Sequence, residues 1–359
     1  MTSRKVLILA VAAIAVLAVA LLLTQRATSS RTKPASVLYP DLKSELASIT
    51  AVQVFKAGDA QTVELARKDN QWVVTERAGY PANTSKVNKL LIALSEAKPV
   101  EEKTANPENY PTLGVEDLKE LSASGTRLEL QGVSSPVNLI VGKSAGTRGA
   151  YVRRAGESTS WLIDQNLDVS DAPGEWLRTS IIDVGADRVQ SVTVATEGAK
   201  PYTVEKSARA DADFKTTAVP KGKKADTFTV NGFASALSHL NLSDVHAARE
   251  FEGGKPSSHA TVRTFDGLVV DVDGWTKDGK HFIAVRTSYD EGLAKRFHVE
   301  TKPAEKAAND ESEASAKPAT DNVAETAKTT DDQLKEWVFE IPDYKYEALF
   351  KPSSALVEK

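Results

Sequence analysis

The sequence predicts an α+β fold in which two similar tandem modules follow one N-terminal transmembrane helix. Three observations lead to this prediction. The chain begins with an uncharged apolar run, many short segments alternate apolar and polar residues, and such segments return in the same order in the second half. Alternation with a period of two is typical of strands that bury one face. Each module should therefore contain a mainly antiparallel sheet with covering helices.

The apolar run from Val6 to Leu23 has about the length of a transmembrane helix. At about 1.5 Å per residue it approaches the roughly 30 Å of bilayer hydrocarbon, and no charge, Gly or Pro interrupts it. Arg4 and Lys5 before the run favour a cytoplasmic N-terminus, whereas three basic residues after it weaken this argument. A cleaved signal peptide is the alternative, but no small-x-small cleavage site follows the run. We therefore expect an uncleaved anchor.

Composition and pattern divide the chain into consecutive segments. The predicted segments are a cytoplasmic N-terminus (1–5), a transmembrane anchor (6–23), a tether (24–40), a first α+β module (41–185), a second α+β module (186–350) and a C-terminal tail (351–359). The second module carries an insertion at 302–332 that holds four Lys and eight acidic residues and almost no large aliphatic residue. Such a segment buries too little apolar area to offset its ordering entropy, so we predict a disordered acidic insertion. Pro303 and Pro318 disfavour the alternative, a charged single helix.

The second module repeats the order of elements of the first. In the first module, strands are predicted at 49–55, 62–65, 72–74, 126–130, 137–142, 150–153 and 161–164. Their counterparts are predicted at 189–194, 203–206, 214–216, 261–265, 268–272, 283–286 and 337–340. Asp266-Gly267 predicts a two-residue hairpin turn between two of these strands.

Each module also carries a predicted helix between its third and fourth strands. An apolar stripe with spacing i, i+3, i+4, i+7 is formed in the first helix by Val87, Leu90, Leu91 and Leu94. The equivalent face of the second helix is formed by Val230, Phe233, Leu237 and Leu240. Further helices are predicted at the ends of the modules, near 176–182 and 346–349.

The charge balance and the missing cysteine exclude several classes of function. The formal net charge is −4, and the acidic segment from Lys302 to Asp332 supplies this excess, so the remainder is close to neutral. Nucleic-acid binding requires a clustered basic surface, and none is expected here. The chain has no cysteine, which excludes thiolate metal sites, thiol nucleophiles and a lipoprotein anchor on this chain.

Two loop motifs resemble ligand-binding sites but lack the required spacing. Gly142-Lys143-Ser144 follows a predicted strand, as in a phosphate-binding loop, but Val137 stands where the first glycine would be needed. Asp271 and Asp273 resemble part of a calcium loop, but Trp275 follows where a ligand is required. We interpret the first motif as part of a hairpin and the two aspartates as a solvated strand face.

The remaining candidates are histidines and a basic loop. His239 and His246 could share a helix face, but metal-binding pairs on helices are usually three or four residues apart. No HExxH or GxSxG motif occurs. Lys221-Gly222-Lys223-Lys224 is interpreted as a solvated turn, with a docking patch for anionic lipid as the alternative. We therefore predict no catalytic, cofactor-binding or metal-binding residues and no cofactor.

The chain combines several features in a fixed order. The anchor is followed by paired strands and by a strand that begins with a tryptophan. Next come Tyr80-Pro81-Ala82-Asn83 at the start of the Leu-rich helix, and then Tyr110 with Leu113-Gly114-Val115. This arrangement resembles the DUF4340 family, a bacterial family of unknown function, over most of residues 40–350. The resemblance implies a bacterial, membrane-anchored protein. Long domains cross a membrane largely regardless of the flanking charges, so we expect a single-pass protein of the inner membrane whose C-terminal bulk lies in the periplasm. It also implies an association with ABC-transporter auxiliary proteins of the gliding-motility type, and it supplies no catalytic residues.

We expect a non-enzymatic binding or accessory scaffold for an envelope or transporter complex, whose partners are the membrane and another envelope protein. One alternative is an envelope hydrolase that uses paired carboxylates, which a deep acidic cleft would favour. Another is a glycan- or lipid-binding module, which a cluster of exposed Trp72, Trp161, Trp176 or Trp275 would favour. We expect at least Trp72 and Trp161 to lie in the core instead.

Overall fold

The computed structural model describes residues 37–297 and 319–358. Within these ranges the fold is α+β and consists mainly of antiparallel strands with a few helices. The predicted anchor at 6–23 and the first part of the predicted insertion lie outside the described residues. Among the helices of the two described ranges, none is both long and apolar enough to cross a membrane.

Short helices and 3-10 turns separate the strands along the chain. The strands are β1 Ala51–Lys56, β2 Ala60–Lys68, β3 Gln71–Val74, β4 Tyr80–Pro81, β5 Pro99–Glu102, β6 Thr126–Gln131, β7 Val137–Ser144, β8 Ala150–Arg154, β9 Ser160–Ile163, β10 Ser180–Ile182, β11 Val189–Thr196, β12 Tyr202–Glu205, β13 Lys215–Thr216, β14 Leu240–Asn241, β15 Asp244–Ala247, β16 Ser258–Thr264, β17 Leu268–Lys277, β18 Lys280–Tyr289 and β19 Trp337–Ile341. The helices are α1 Leu42–Glu45, α2 Thr84–Glu96, α3 Tyr110–Leu113, α4 Thr227–Gly232, α5 Glu291–Phe297, α6 Ala319–Leu334 and α7 Asp343–Leu349.

The described chain forms two compact units that are not simply consecutive. Unit 1 contains residues 37–67 and 85–171, and unit 2 contains residues 68–84 and 172–358. The β3–β4 hairpin, which the predicted first module included, belongs to unit 2. Its Tyr80 ring packs edge-on against Trp337 and Phe339 of β19, with ring centroids 5.0 and 6.2 Å apart. Arg77, between the two hairpin strands, forms an ion pair with Asp244 of β15 at 2.5 and 2.9 Å.

The strands of unit 1 pair antiparallel in the order β2-β1-β6-β7-β8-β9-β5. Within this order, Val52 of β1 lies opposite Leu65 of β2 and Leu130 of β6, and all three side chains are buried. The predicted amphipathic helix is confirmed as α2, whose stripe Val87, Leu90, Leu91 and Leu94 is buried. Alternation in the strands and the 3.6-residue period in the helix thus build one apolar core.

Unit 2 has an antiparallel sheet with the strand order β13-β12-β11-β16-β17-β18-β19-β15. The turn predicted at Asp266-Gly267 joins β16 to β17, but the loop has three residues because Phe265 leaves the ladder. The Phe265 amide donates to the carbonyl oxygen of Arg188 at 2.8 Å, and the side chain is buried. Gly267 adopts φ +89°, which a glycine accepts without strain.

One predicted helix is absent and another is shorter than expected. Residues 173–176 form a 3-10 turn and Ser180–Ile182 form β10, so the helix predicted near 176–182 is wrong. The Arg178 amide donates to the Pro81 carbonyl oxygen at 3.0 Å, and the Trp176 carbonyl oxygen accepts from the Asn83 amide at 2.7 Å. These backbone groups therefore pair with an extended segment and are not available for hydrogen bonds within a helix. The second amphipathic helix, α4, ends at Gly232, a residue unfavourable in helices. Its predicted apolar residues are nevertheless buried, with Leu240 in β14.

Helix α6 occupies the described part of the segment that was predicted to be a disordered insertion, and it corrects that prediction from Ala319 onward. Arg286 of β18 holds Asp331 through two hydrogen bonds of 2.7 and 2.9 Å. Thr287 donates its amide to Asp331 at 3.1 Å and its hydroxyl to the Ala327 carbonyl oxygen at 2.5 Å. Ala327 and Leu334 are buried. Two buried apolar side chains and the hydrogen bonds to β18 therefore stabilise a helix of low apolar content. In the sequence, Pro318 directly precedes this helix.

Leu94→Ala should destabilise unit 1 by about 2–5 kcal/mol, because truncation of a fully buried leucine removes apolar burial and leaves a cavity. The matched control is Ile92→Ala on the same helix, where the side chain is 49% exposed and the change should stay within about 0.5 kcal/mol. Denaturant unfolding measures both values. Equal losses for the two variants would contradict the assignment of the buried stripe.

Asp331→Asn should loosen α6, because the neutral side chain loses its ion pair with Arg286. The expected loss is about 1 kcal/mol, since Arg286 is largely exposed and the pair is partly screened. The Arg286 hydrogen bonds hold the pKa of Asp331 below its ordinary value of about 3.9, so this contribution is complete above that pH and is lost as the pH falls through the lower folded pKa.

Hydrogen exchange of the α6 amides measures the loosening. Asp332→Asn is the adjacent control, since Asp332 pairs with the exposed Lys335, which follows the end of α6, at 2.6 Å. The prediction fails if both variants exchange alike.

Candidate functional site

The candidate site is a recess of about 580 Å³ in unit 1, between segment 107–122 and the turn that joins β8 to β9. We call it the acidic recess. It is lined by Pro107, Tyr110, Pro111, Glu116, Asp117, Glu120, Ser122, Arg153, Gly156, Glu157 and Ser158.

The recess is built on Arg153 of β8, a buried arginine with 2% of its surface exposed. Its guanidinium donates to the carbonyl oxygens of Val115 and Glu157, each at 2.8 Å, and to the carboxylate of Asp117 at 2.6 Å. The guanidinium also lies 4.5 Å from the centroid of the Tyr110 ring. A planar fork with several donors is suited to such convergent contacts, so Arg153 fixes the loop against the sheet.

The local sequence shapes the wall of the recess. The side chain of Asn106 accepts from the Glu108 amide at 3.2 Å and begins a 3-10 turn with Pro107 at its first position. Helix α3 follows and ends at Gly114, which adopts φ +74°. The Tyr110 hydroxyl donates to the carbonyl oxygen of Ser158 at 2.6 Å and so joins this wall to the opposite turn.

The rim of the recess combines negative charge with one exposed apolar side chain. Its carboxylates belong to Glu116, Asp117, Glu120 and Glu157. Next to Glu120, Leu121 is 86% exposed. One carboxylate oxygen of Glu116, Oε2, is buried and has no hydrogen-bond partner among the described residues.

The phosphate-loop resemblance of Gly142-Lys143-Ser144 has a structural explanation next to this site. The motif ends strand β7, and Lys143 Nζ donates to the carbonyl oxygens of Pro111 and Thr112, each at 3.1 Å. Lys143 therefore satisfies carbonyl groups of α3, where a positive charge is favourable. The structure explains the lysine without an anion.

The two histidines that could have formed a pair lie in different elements. His239 adopts φ +49° in a turn, whereas His246 lies in β15 and contacts the ring of Phe282 at 5.7 Å. The two histidines therefore do not share a helix face, because α4 ends at Gly232, before either residue. Within the described ranges, no group of three or more His, Asp or Glu side chains could hold a metal ion.

Asp271 and Asp273 lie on one face of β17, as predicted, and pair with residues of β16. Thr261 donates to Asp271 at 2.6 Å, and His259 Nδ1 lies 2.9 Å from Asp273. His259 Nε2 also lies 3.2 Å from the Thr261 hydroxyl, which gives the order of a nucleophile, a base and an orienting carboxylate. However, His259 lies directly opposite Asp273, and Thr261 directly opposite Asp271, on a partly solvated sheet face. We interpret the group as cross-strand pairs that stabilise the sheet.

The tryptophans and the basic loop divide between core and surface. Trp72 is buried as expected, and Trp176 is fully buried. Trp161 is only partly buried, so its placement in the core was wrong; it lies opposite the exposed Glu102 of the edge strand β5. The loop 221–224 is an exposed turn, as predicted, with Gly222 at φ +86°.

The acidic recess was not predicted from the sequence, although one signal was present. Arg153 lies in β8, where the other buried side chains are apolar. A charged side chain that is buried in such a strand requires hydrogen-bond partners. Two of the partners, Val115 and Asp117, lie more than thirty residues upstream in a loop without periodicity, so the pattern alone does not identify them.

Arg153→Met should destabilise unit 1 by about 3 kcal/mol, because the carbonyl oxygen of buried Val115 loses its donor and the hydrogen bonds to Glu157 and Asp117 are also lost, while the volume is largely kept. Hydrogen exchange should become faster across residues 107–122 as that loop detaches. Arg148→Met, at an exposed position of the preceding turn, is the control and should change neither quantity. A loss of stability without faster exchange in the loop would contradict the anchoring role.

Comparison with known proteins identifies a family for the region that contains this site. The model for the Domain of unknown function (DUF4340) matches residues 72–260, which is more than half of the 359 residues. No curated protein and no solved structure matches the chain. The resemblance carried by Tyr80–Asn83 and Tyr110–Val115 is thereby confirmed, and both motifs lie within the matched region. The chain belongs to the DUF4340 family.

Proposed function

We propose that this protein is a non-enzymatic, membrane-anchored accessory scaffold that binds another protein of the bacterial envelope through the acidic recess. The observation that carries the proposal is the recess itself, a concave site whose wall is fixed by buried Arg153. A fixed wall favours binding, because less conformational entropy is lost when a partner docks.

The chemistry of the recess indicates what the partner presents. Tyr110, Pro107 and Pro111 offer apolar surface, and Leu121 extends it outward. The surrounding carboxylates favour Lys or Arg side chains, which steer association and fix the register of the complex. The proposed partner segment therefore combines apolar anchors with basic residues.

The membrane part of the proposal is supported by the sequence. The apolar run 6–23 and the tether 24–40 suit a single-pass anchor in the inner membrane with the C-terminal bulk in the periplasm. Membership of DUF4340 adds the resemblance to partners of ABC-transporter auxiliary proteins. We therefore propose an envelope complex of the transporter type as the setting.

We further propose that the fold arose by duplication of one α+β module. Strands β2-β1-β6-β7-β8-β9-β5 of unit 1 have counterparts β12-β11-β16-β17-β18-β19-β15 in unit 2, in the same spatial order. Along the chain, helix α2 precedes β5 and helix α4 precedes β15, the strands at the end of these two spatial orders. The matching order supports duplication more strongly than the residue identity does.

The two alternatives receive less support. A glycan- or lipid-binding face formed by tryptophans loses Trp72 and Trp176, which are buried. For a hydrolase with paired carboxylates, Asp271 and Asp273 share one strand face, but their partners are Thr261 and His259.

Leu121→Cys, labelled with a benzophenone maleimide, should crosslink to one partner protein in membranes of the producing cells. The label is unique because the chain has no cysteine. Reversing two exposed rim charges in this background, with Glu120→Lys and Glu157→Lys, should reduce the crosslinked product at least about tenfold, since like charges in an interface repel strongly.

Ile92→Cys with the same label is the matched control, because Ile92 is an exposed apolar residue of the same unit. It should give no specific product. The proposal is wrong if position 121 yields no reproducible partner, or if the product is the same at position 92 or survives the charge reversal.

A further inference from the structure

We propose that a basic and aromatic patch in unit 2 docks on the surface of an anionic lipid bilayer. The patch consists of Phe228 on α4 and of Lys221, Lys223 and Lys224 in the preceding turn. It is distinct from the acidic recess and carries the opposite charge.

Phe228 is the most exposed large apolar residue in the described part of the chain, with 90% of its surface accessible. The neighbouring Val230 and Phe233 are buried, so the helix uses its other face for the core. The hydrophobic effect alone would favour burial of such a ring. The exposed ring is therefore available to a partner surface.

The backbone holds Phe228 outward. Asp226 caps α4 by accepting from the Thr229 amide at 3.1 Å and from its hydroxyl at 3.0 Å. These hydrogen bonds keep the pKa of Asp226 below its ordinary value, so the cap is charged at neutral pH. The Asp226 amide donates to the Leu356 carbonyl oxygen at 2.8 Å. Phe228 thus stands on an anchored turn of helix.

The three lysines lie close to Phe228 along an ordered turn. All three are exposed, and the Lys223 amide donates to the Pro220 carbonyl oxygen at 3.0 Å. Lys224 is four residues before Phe228, so their Cα atoms are at most roughly 14 Å apart. Within the described ranges, none of the three side chains forms an ion pair, whereas the nearby carboxylate of Asp226 is used by its cap.

The charge selects the occupant. A bilayer with anionic headgroups attracts each nearby lysine, and three together strengthen docking by about a hundredfold. Phe228 would enter the boundary between headgroups and acyl chains, as aromatic residues of interfacial helices do. A second copy of the chain is disfavoured, since a twofold contact through this patch would place lysines near lysines.

The test uses the full-length chain with Phe228→Cys labelled by the environment-sensitive dye NBD, which is again a unique label. The protein is reconstituted with vesicles of phosphatidylcholine alone or of phosphatidylcholine mixed with phosphatidylglycerol. On the anionic vesicles we expect a blue-shifted emission and quenching by doxyl-labelled lipid. Changing all three lysines to glutamine should lower the docking equilibrium constant about a hundredfold.

Tyr344→Cys with the same dye is the control, since Tyr344 is an aromatic residue of α7 that is 67% exposed in the same unit. It should stay in water on both vesicles. Equal quenching at position 228 on neutral and anionic vesicles, an unchanged signal in the lysine variant, or water exposure throughout would overturn the proposal. A blue shift in detergent before vesicles are added would indicate association between copies and would also overturn it.

Discussion

Apolar pairing across the central strands is the constraint on which the rest of this protein depends. In unit 1, Val52 lies between Leu65 and Leu130, and in unit 2, Val192 lies between Val204 and Val262, all buried. Burial of each such side chain stabilises the fold by roughly 1.5–3 kcal/mol. The chain has no disulfide to supplement this contribution. A slip of one residue would turn these side chains to the opposite face, so the same pairing also fixes the register.

The acidic recess depends on that register because Arg153 lies on β8. Next to it, Val152 pairs with Val141 on one side and with Trp161 on the other. A buried guanidinium is costly to desolvate, and it is tolerated here because each of its three nitrogens donates to a carbonyl oxygen or a carboxylate. The register of the sheet therefore fixes the position of Arg153, and Arg153 in turn positions the loop that carries Asp117 and Leu121. The exposed site is an indirect product of the apolar core.

The sequence predicted those elements whose pattern is local. Strands with period two and the stripe that ends at Leu94 were found because alternation and helical spacing report burial directly. The segment after Trp176 was misassigned, since its backbone pairs with Pro81, a partner almost a hundred residues away. Helix α6 was missed because composition does not reveal that Asp331 meets Arg286. The recess was missed for the same reason: Arg153 and its partners converge only in the fold.

The acidic recess and the basic and aromatic patch share the same physical features, but the charges that surround them have opposite signs. Each keeps a large apolar side chain in water, Leu121 at 86% and Phe228 at 90% exposure, close to several like charges, which are carboxylates at the recess and lysines at the patch. Each is held by an anchored backbone, through Arg153 in one unit and through the Asp226 cap in the other. Exposed apolar groups on mobile loops would lose much of their binding energy to ordering, whereas anchored groups keep it. A chain that is nearly neutral outside its acidic segment can thus offer two surfaces that select different partners by charge.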